Sequence, residues 1–551
     1  MLSFSYLQGR NFSSRRDVGS ITGSIAGLIA AHFLFSTSFV YAQTASNAPS
    51  NVLATYGTGF LEQGDGVQVL HLSGSPSEMG AEYGFLAGDQ IQGALNLITS
   101  IAKTDPEAKH VPNWVVTAAR RFAGWVFWHH FPSDVKTEIT SMVSGAAQRK
   151  PAIVLEQYDI AFLNSLIDLV GILKQQKGLE NVIPGRSKSW LAKILGLSWM
   201  ETNCDSMAVW GPRTVGGKTF QTRNIDVQTG LGLEKFPLVI VFKPDGAIPY
   251  VSASFAGMNG IVTGMNAYGV GLGQIWAYSN ITRFGTPWQL EIKESFAHAT
   301  TASQAVQMFE AEGNRTYGSN FVIADANGQG YALETTPDDF VIFTANDPKE
   351  KLALYNGVSY GDPMPYAVFR GDVAMDPKVR SEQTASNGPT GDPTTTFSYQ
   401  SRYKGQGDRI LAYEQQGILM GEPEAEAISR QTADPSNNLQ ASVYSNGDRD
   451  LWVSYAMMND TGPVTQAYQG TYHHIPFADY LNGLAYDPKD GRVHVHSWIP
   501  SHENDDLRAW EVVVYRSREV IAYHEGMKIE SGDMLELREP GGRLIDRTIV
   551  R

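Results

Sequence analysis

The stretch CDSMAVWGPRTVGGKTFQTRNID, residues 204–226, holds the only cysteine of the chain and governs how the remainder is read. Cys204 opens a strand-like run ending at Trp210, Gly216-Gly217 supplies a tight reversal, and Phe220 to Val227 returns Arg223 and Asp226 toward the thiol. A guanidinium beside a thiol favours the thiolate, and a carboxylate there suits an ammonium group, which matters where Cys204 is itself a chain terminus. Cutting the Asn203-Cys204 peptide would create an α-amine of reference pKa about 7.7 to 8.0 on the nucleophile's own residue, able to act as general base. A buried structural cysteine near a surface Arg-Asp pair is the alternative. Side chains alternate along a strand, so Arg223 and Asp226 converge only if the strand ends or twists between them.

Around this hairpin the hydrophobic period changes. Ser75-Pro76-Ser77-Glu78 reads as a capping box with proline at the first helical position, and Met79, Leu86, Ile91, Leu95 and Ile98 follow at helical spacing, so 75 to 170 is mainly helical. Beyond Trp199 come short strand-like runs at Met207 to Trp210, Phe220 to Val227, Leu238 to Phe242 and Tyr250 to Phe255, with Pro244-Asp245-Gly246 as a turn. A helical block at 287 to 311 contains a second capping box, Thr301-Ala302-Ser303-Gln304, and strands return at Phe321 to Ile323 and Phe340 to Phe343. The fold class is α+β. Asp372 to Ser398 and 433 to 449 read as surface loops, and the pattern is strand-like again from 451. In the tail from 506, Trp510 to Tyr515 and the turn Pro540-Gly541-Gly542 suggest extra β structure.

Composition sets the class. With 551 residues, 42% of them hydrophobic and 18% charged, the chain can bury a large core. A net charge of -14 argues against a nucleic-acid partner. Arg10, Arg15 and Arg16 precede an apolar run from Ile25 to Phe35, and Val40-Tyr41-Ala42 supplies small residues at the cleavage positions. Residues 1–42 therefore read as a secretory signal, with a membrane anchor as the rival reading and the Sec or twin-arginine route left open. The expected mature chain starts near Gln43, is periplasmic or secreted, and has no membrane contact after signal removal.

Four motifs occur in one order: Gly74-Ser75-Pro76-Ser77-Glu78-Met79-Gly80; Cys204-Asp205-Ser206 with Arg223-Asn224-Ile225-Asp226; Thr344-Ala345-Asn346-Asp347-Pro348; and Ser401-Arg402-Tyr403. Together with Phe255-Ala256-Gly257 and Gly264-Met265-Asn266, they resemble the cysteine N-terminal nucleophile (Ntn) hydrolases, a group that includes choloylglycine hydrolases, penicillin V acylases, acid ceramidase and the penicillin acyltransferases, with the greatest likeness to the acyltransferase branch. The resemblance covers about 70 to 500. It implies a four-layer αββα sandwich with a helical N-terminal segment and self-processing at Cys204; no cofactor or metal is expected, since no metal-ligand spacing occurs. It also implies that Asn346 supplies part of an oxyanion hole, a donor worth roughly 2.7 to 4 kcal/mol, and that Arg402 braces the site. An Asn-Asp-Pro turn and a surface arginine are the plain alternatives. The second oxyanion donor falls near Gln274 to Trp276, where bile salt hydrolases carry an asparagine absent here.

Two competing signals are weaker. Gly357-Val358-Ser359-Tyr360-Gly361 fits the G-x-S-x-G nucleophile elbow, but Pro363 and Pro365 follow where a helix is required. His494 and His496 share one face of a strand without other metal-ligand spacing. The expected organisation is a signal at 1–42, an N-terminal chain at 43–203, a catalytic chain at 204–505 and a β-rich extension at 506–551. The expected activity is hydrolysis of a linear N-acyl amide of a small molecule, with Trp210, Phe255 and Trp276 walling the acyl tail. Acyl transfer to an amine and a non-catalytic secreted binding protein are the alternatives. The sequence is silent on oligomeric state.

Overall fold

The computed structural model describes residues 51–102, 109–174, 194, 195, 197, 202–230, 232–277, 279–383, 402–459, 462–487, 489, 492–498, 510–516, 519–524 and 526–550. The signal reading at 1–42 and Ser401 lie outside these residues. Strands β1 (Val52–Tyr56), β2 (Gly59–Gln63) and β3 (Gln68–Gly74) come first. Helices α1 (Pro76–Ala102), α2 (Asn113–Trp128), α3 (Ser133–Arg149), α4 (Gln157–Asn164) and α5 (Leu166–Lys174) follow. The Ser75 box forms with both legs: the Ser75 N–H donates to Glu78 Oε2 at 2.9 Å and the Glu78 N–H to Ser75 Oγ at 3.4 Å.

The hairpin pairs β4 (Thr202–Val209) with β5 (Phe220–Val227). Gly216 and Gly217 turn it at φ of 66° and 72°, a region that side chains disfavour. Next come β6 (Pro237–Pro244), β7 (Tyr250–Phe255), β8 (Gly264–Asn266) and β9 (Gly271–Trp276). Helices α6 (Trp288–His298) and α7 (Ala302–Ala311) precede β10 (Ser319–Ala324), β11 (Gly330–Thr335) and β12 (Phe340–Thr344). A two-stranded ladder, β13 (Leu354–Tyr355) with β14 (Val358–Ser359), leads to β15 (Ala367–Arg370) and the short α8 (Pro377–Glu382). Helices α9 (Arg402–Gln416) and α10 (Glu422–Thr432) come before β16 (Asn438–Ser445), β17 (Asp450–Tyr455) and β18 (His473–Ile475).

These strands make two large sheets. One runs β1-β2-β3-β6-β7-β8-β9-β10-β11-β12 and is antiparallel except at the parallel β3–β6 pair. The other runs β15-β4-β5-β16-β17-β18. Between them, β4 and β5 contact β9, and β15 contacts β10 and β11. Helices α1, α6 and α7 contact strands of the larger sheet, and α9 and α10 contact β4, β5, β15 and β16. Val239, Ile240 and Val241 are fully buried because both faces of β6 are covered, which is why that segment reads as one apolar run. The fold is α+β.

Three local expectations need correction. Strand β4 begins at Thr202, two residues before Cys204, so the Asn203-Cys204 peptide lies within the ladder and Asn203 faces Asp226. The expected loop at 433–449 contains β16, a buried strand between β5 and β17. Its polar residues read as loop, yet two find sheet partners: Ser442 Oγ donates to the Arg223 carbonyl at 3.2 Å and Gln440 Nε2 to the Ala253 carbonyl at 3.2 Å. The start of the expected loop from Asp372 is also interior, as the site below shows.

The C-terminal residues add β19 (Asn482–Asp487) with β20 (Arg492–Ser497), and a four-stranded sheet of β21 (Glu511–Arg516), β22 (Glu519–Ala522), β23 (Met534–Arg538) and β24 (Leu544–Ile549) in the order β22-β21-β23-β24. Lys243 of β6 ties this sheet down through Asp546 at 2.8 Å.

The approach of β9 to β4 depends on Gly273. A Cβ there would overlap Ser206 Oγ, itself held by the Thr222 carbonyl at 2.6 Å. Gly273→Ala should therefore cost about 1 to 3 kcal/mol by forcing the sheets apart, read as a lower denaturation midpoint.

Candidate active site

Cys204 is 3% exposed and sits where β4, β5 and the end of β15 meet. Its backbone N–H donates to Asp372 Oδ1 at 2.8 Å. Arg223 and Asp226 both reach the thiol, in different ways: Arg223 through its side chain and Asp226 through its backbone N–H. Alternation holds: the Arg223 side chain lies on the Cys204 side of β5 and the Asp226 side chain on the Arg402 side. Opposite Asp226 and Ile225, β16 inserts Leu439 between Asn438 and Gln440, and such an insertion sharpens the local twist.

The carboxylate of Asp226 turns to Arg402. Arg402 donates to Asp226 Oδ2 at 2.8 Å and Asp372 Oδ2 at 2.9 Å, and lies 3.5 Å from Asp205 and 3.9 Å from Asp434. Asn438 Nδ2 donates to the other Asp226 oxygen at 2.8 Å, and Asp205 accepts from Asn224 at 3.0 Å and Thr432 at 3.1 Å. One guanidinium therefore serves four carboxylates. Burial opposes the Arg402 charge, but Asp226, Asp372, Asp205 and Asp434 more than offset it and hold its pKa above the ordinary value. The carboxylates share that one cation. Burial pushes Asp226 up to about 8 and Asp205 up to about 6, against the opposing pull of Arg402, and it raises Asp372 as well.

Burial likewise pushes the Cys204 thiol up to about 11; Arg223 opposes the rise, and Asp226 and Asp372 add to it. With its peptide intact, the thiol is thus mostly protonated at neutral pH. Burial lowers the pKa of Arg223 itself. Its guanidinium is fixed by the Val262 carbonyl, by Thr263 Oγ1 at 3.0 Å and by Gln274 Oε1 at 3.2 Å, and lies over the Trp288 ring at 5.5 Å.

A cavity of about 50 Å³ opens beside Cys204, lined by Ile225, Phe255, Met258, Trp276 and Trp288 among others. Phe255 and Trp276 thus stand where the sequence places an acyl wall. Trp210 does not. Six residues along β4, at about 3.3 Å each, carry it roughly 20 Å away, where it packs against Gly328 and Gly330. A larger cavity, about 430 Å³, lies by Gly74, Lys243 and Asp546, away from the cysteine.

Asn346 is also displaced. It is exposed beyond β12 with φ of 58°, and its N–H donates to the Met364 carbonyl. Register shows why it misses the site: Thr344 pairs with Tyr331 near Gly330, at the Trp210 end of the sheets, whereas Trp276 and Ser319 mark the Cys204 end. The strand that delivers a polar group to Cys204 is β15, where Arg370 pairs with Ser206 and Asp372 follows two residues on. Asp372 and Asn438 are the site residues that sequence reasoning missed, both assigned to loops by composition. Ser359 donates to the Lys351 carbonyl at 2.9 Å on an exposed strand. His494 and His496 share one face of β20 by alternation, and among the described residues no group of three or more His, Cys, Asp or Glu could hold a metal.

No family model matches the chain. An uncharacterized protein of Archaeoglobus fulgidus is 22% identical over 288 residues, 51% of this chain and 45% of that protein, so the match spans less than half of its relative. In structure the chain is similar to the Caenorhabditis elegans N-acylethanolamine-hydrolyzing acid amidase ortholog, with TM-score 0.32 and 14% identity over 50% of this chain and 100% of that one. It is similar to penicillin V acylase from Agrobacterium tumefaciens, with TM-score 0.30 and 13% identity over 46% and 84% of the two chains. It is also similar to a mutant conjugated bile acid hydrolase from Clostridium perfringens, with TM-score 0.31 and 12% identity over 59% and 98%. Likenesses this distant carry no argument about activity, which rests on the residues themselves.

The carboxylate cluster has a pH signature. Asp226 and Asp205 bind protons more tightly in the fold than in the unfolded chain, where the carboxyl titrates at 3.8. Their contribution to stability is therefore greatest below that value and declines as pH rises, up to about 6 for Asp205 and about 8 for Asp226. Uncut Cys204→Ala chain should lose stability across this window, and Asp226→Asn should flatten the loss, as read from denaturant midpoints against pH.

Proposed function

We propose that the chain is an exported, self-processing amide hydrolase with the four-layer αββα stack of the Ntn type, acting on a small N-acylated amine. Residues 43–203 would form its N-terminal chain and Cys204 would head the catalytic chain. The observation that carries the reading is the placement of Cys204: its backbone nitrogen faces Asp372 within the Arg402 cluster while the sulfur side meets an apolar cavity.

Cleavage of the Asn203-Cys204 bond turns that nitrogen into an amine beside Asp372, in a cluster short of positive charge. Protonated, the amine becomes the second cation of the cluster. Neutral, it takes the proton of the Cys204 thiol, which attacks the acyl carbon; the nitrogen then returns the proton to the departing amine, and water releases the acyl-enzyme. Arg223 favours the thiolate, and Arg402 orients Asp226 and Asp372. With Asn346 elsewhere, the Trp288 indole N–H, buried without a partner on a cavity-lining residue, is the donor proposed to meet the oxyanion. Transfer of the acyl group to an amine in place of water uses the same site.

Purified protein should contain a fragment starting at Cys204, formed without added protease and absent in Cys204→Ala, as intact mass and N-terminal sequencing will show. The two fragments should nevertheless elute together, because β3 stays paired with β6 over Val69 to Gly74. Cleavage at the same bond in Cys204→Ala would remove self-processing.

The cavity predicts selectivity. Turnover across N-acyl substrates of increasing length should rise until the space is filled, since each buried methylene contributes about 0.8 kcal/mol. A flat response, with activity still lost in Cys204→Ala, would retain the nucleophile and discard the apolar acyl pocket.

A further inference from the structure

One side of α2 presents aromatic rings to solvent. Trp114, Ala118, Phe122, Trp125 and His129 recur at helical spacing and are all exposed, Trp114 at 73%, Phe122 at 48% and Trp125 at 43%. Three of the rings touch: Phe122 stacks on Trp125 with centroids 5.8 Å apart, and Trp125 meets His129 edge-on at 5.1 Å. The helix cannot roll to hide them. Its other side buries Val116, Arg120, Ala123, Gly124 and Phe127. Arg120 is bound to Asp159 at 2.8 Å, and a Cβ on Gly124 would overlap the Tyr158 carbonyl.

We propose that this stripe seats the protein on the surface of an anionic lipid bilayer. Charge favours that occupant. Helix α2 contains no acidic residue, Lys109 precedes it, and Lys136 lies 5.9 Å over Trp128, in a chain of net charge -14. Among the described residues the exposed acids nearby are Asp134 and Glu156, and Glu156 is paired with Arg121. Size argues against a second copy of the chain: a 16-residue helix is about 24 Å long and about 10 Å wide, so the strip offers about 240 Å² where a stable pair buries about 800 Å² per partner. A lipid interface needs no such area, because tryptophan rings settle singly at headgroup depth beside basic side chains. Among the described residues no helix is long and apolar enough to cross a membrane. The lipid contact departs from the expectation of a chain without membrane contact, and it does not depend on the proposed chemistry.

The test is co-sedimentation of the full chain with vesicles of phosphatidylcholine containing a minority of phosphatidylglycerol. Wild-type protein should partition to the vesicles, less so at high salt. Trp114→Ser and Trp125→Ser should each weaken binding by about tenfold or more, since burying such a ring exceeds the 1.4 kcal/mol that a tenfold change represents. Both side chains face solvent, so thermal unfolding should be unchanged; if Trp125→Ser melts lower, Trp114→Ser alone decides. Wild type that stays in the supernatant, equal binding by wild type and variants, or a dimer in sedimentation velocity that the variants abolish would each overturn the proposal.

Discussion

The structure around Cys204 depends on one guanidinium. Arg402, carried in by α9, is the shared partner of Asp205, Asp226, Asp372 and Asp434, which arrive from β4, β5, the end of β15 and the segment before β16. Four buried carboxylates around a single cation form an unbalanced set, and the imbalance is visible in the raised pKa values of Asp226 and Asp205. Such a cluster is weak evidence for stability, because desolvation offsets much of the attraction. Its consequence is positional: it holds Asp372 against the Cys204 nitrogen and leaves room there for one more positive charge.

Much of this site was legible in the chain. Cys204, Arg223, Asp226 and Arg402 meet because a hairpin and an arginine-headed helix are local patterns. The doubt that alternation raised over Arg223 and Asp226 was sound: their side chains take opposite faces of β5, Arg223 toward Cys204 and Asp226 toward Arg402, and Asp226 meets the thiol only through its backbone N–H. Asn346 and Trp210 went astray for one reason: both lie at the far end of the sheets from the cysteine, and which end a strand presents is set by register with distant partners. Asp372 and Asn438 escaped notice because Gly, Ser, Asn and Asp read as loop composition, whereas here Asp372 accepts from Arg402 and the Cys204 N–H, and Asn438 donates to Asp226.

The nucleophile and its surroundings also separate cleanly in chemistry. The sulfur looks into an apolar cavity with Phe255, Met258 and Trp276, and the nitrogen of the same residue looks into a charged cluster. A strand residue achieves this because its side chain and its backbone N–H project in different directions. The helical layer contributes Leu166 and Ile167 to the cavity wall, so residues before and after the Asn203-Cys204 bond build one site.

The single cysteine permits a direct test. Protein labelled with ¹⁵N only at cysteine carries one labelled nitrogen, that of Cys204. The account predicts that this nucleus loses its amide resonance as activity appears, and is replaced by an amine signal whose titration shifts in Asp372→Asn. An amide resonance that persists at full intensity in active protein would contradict it.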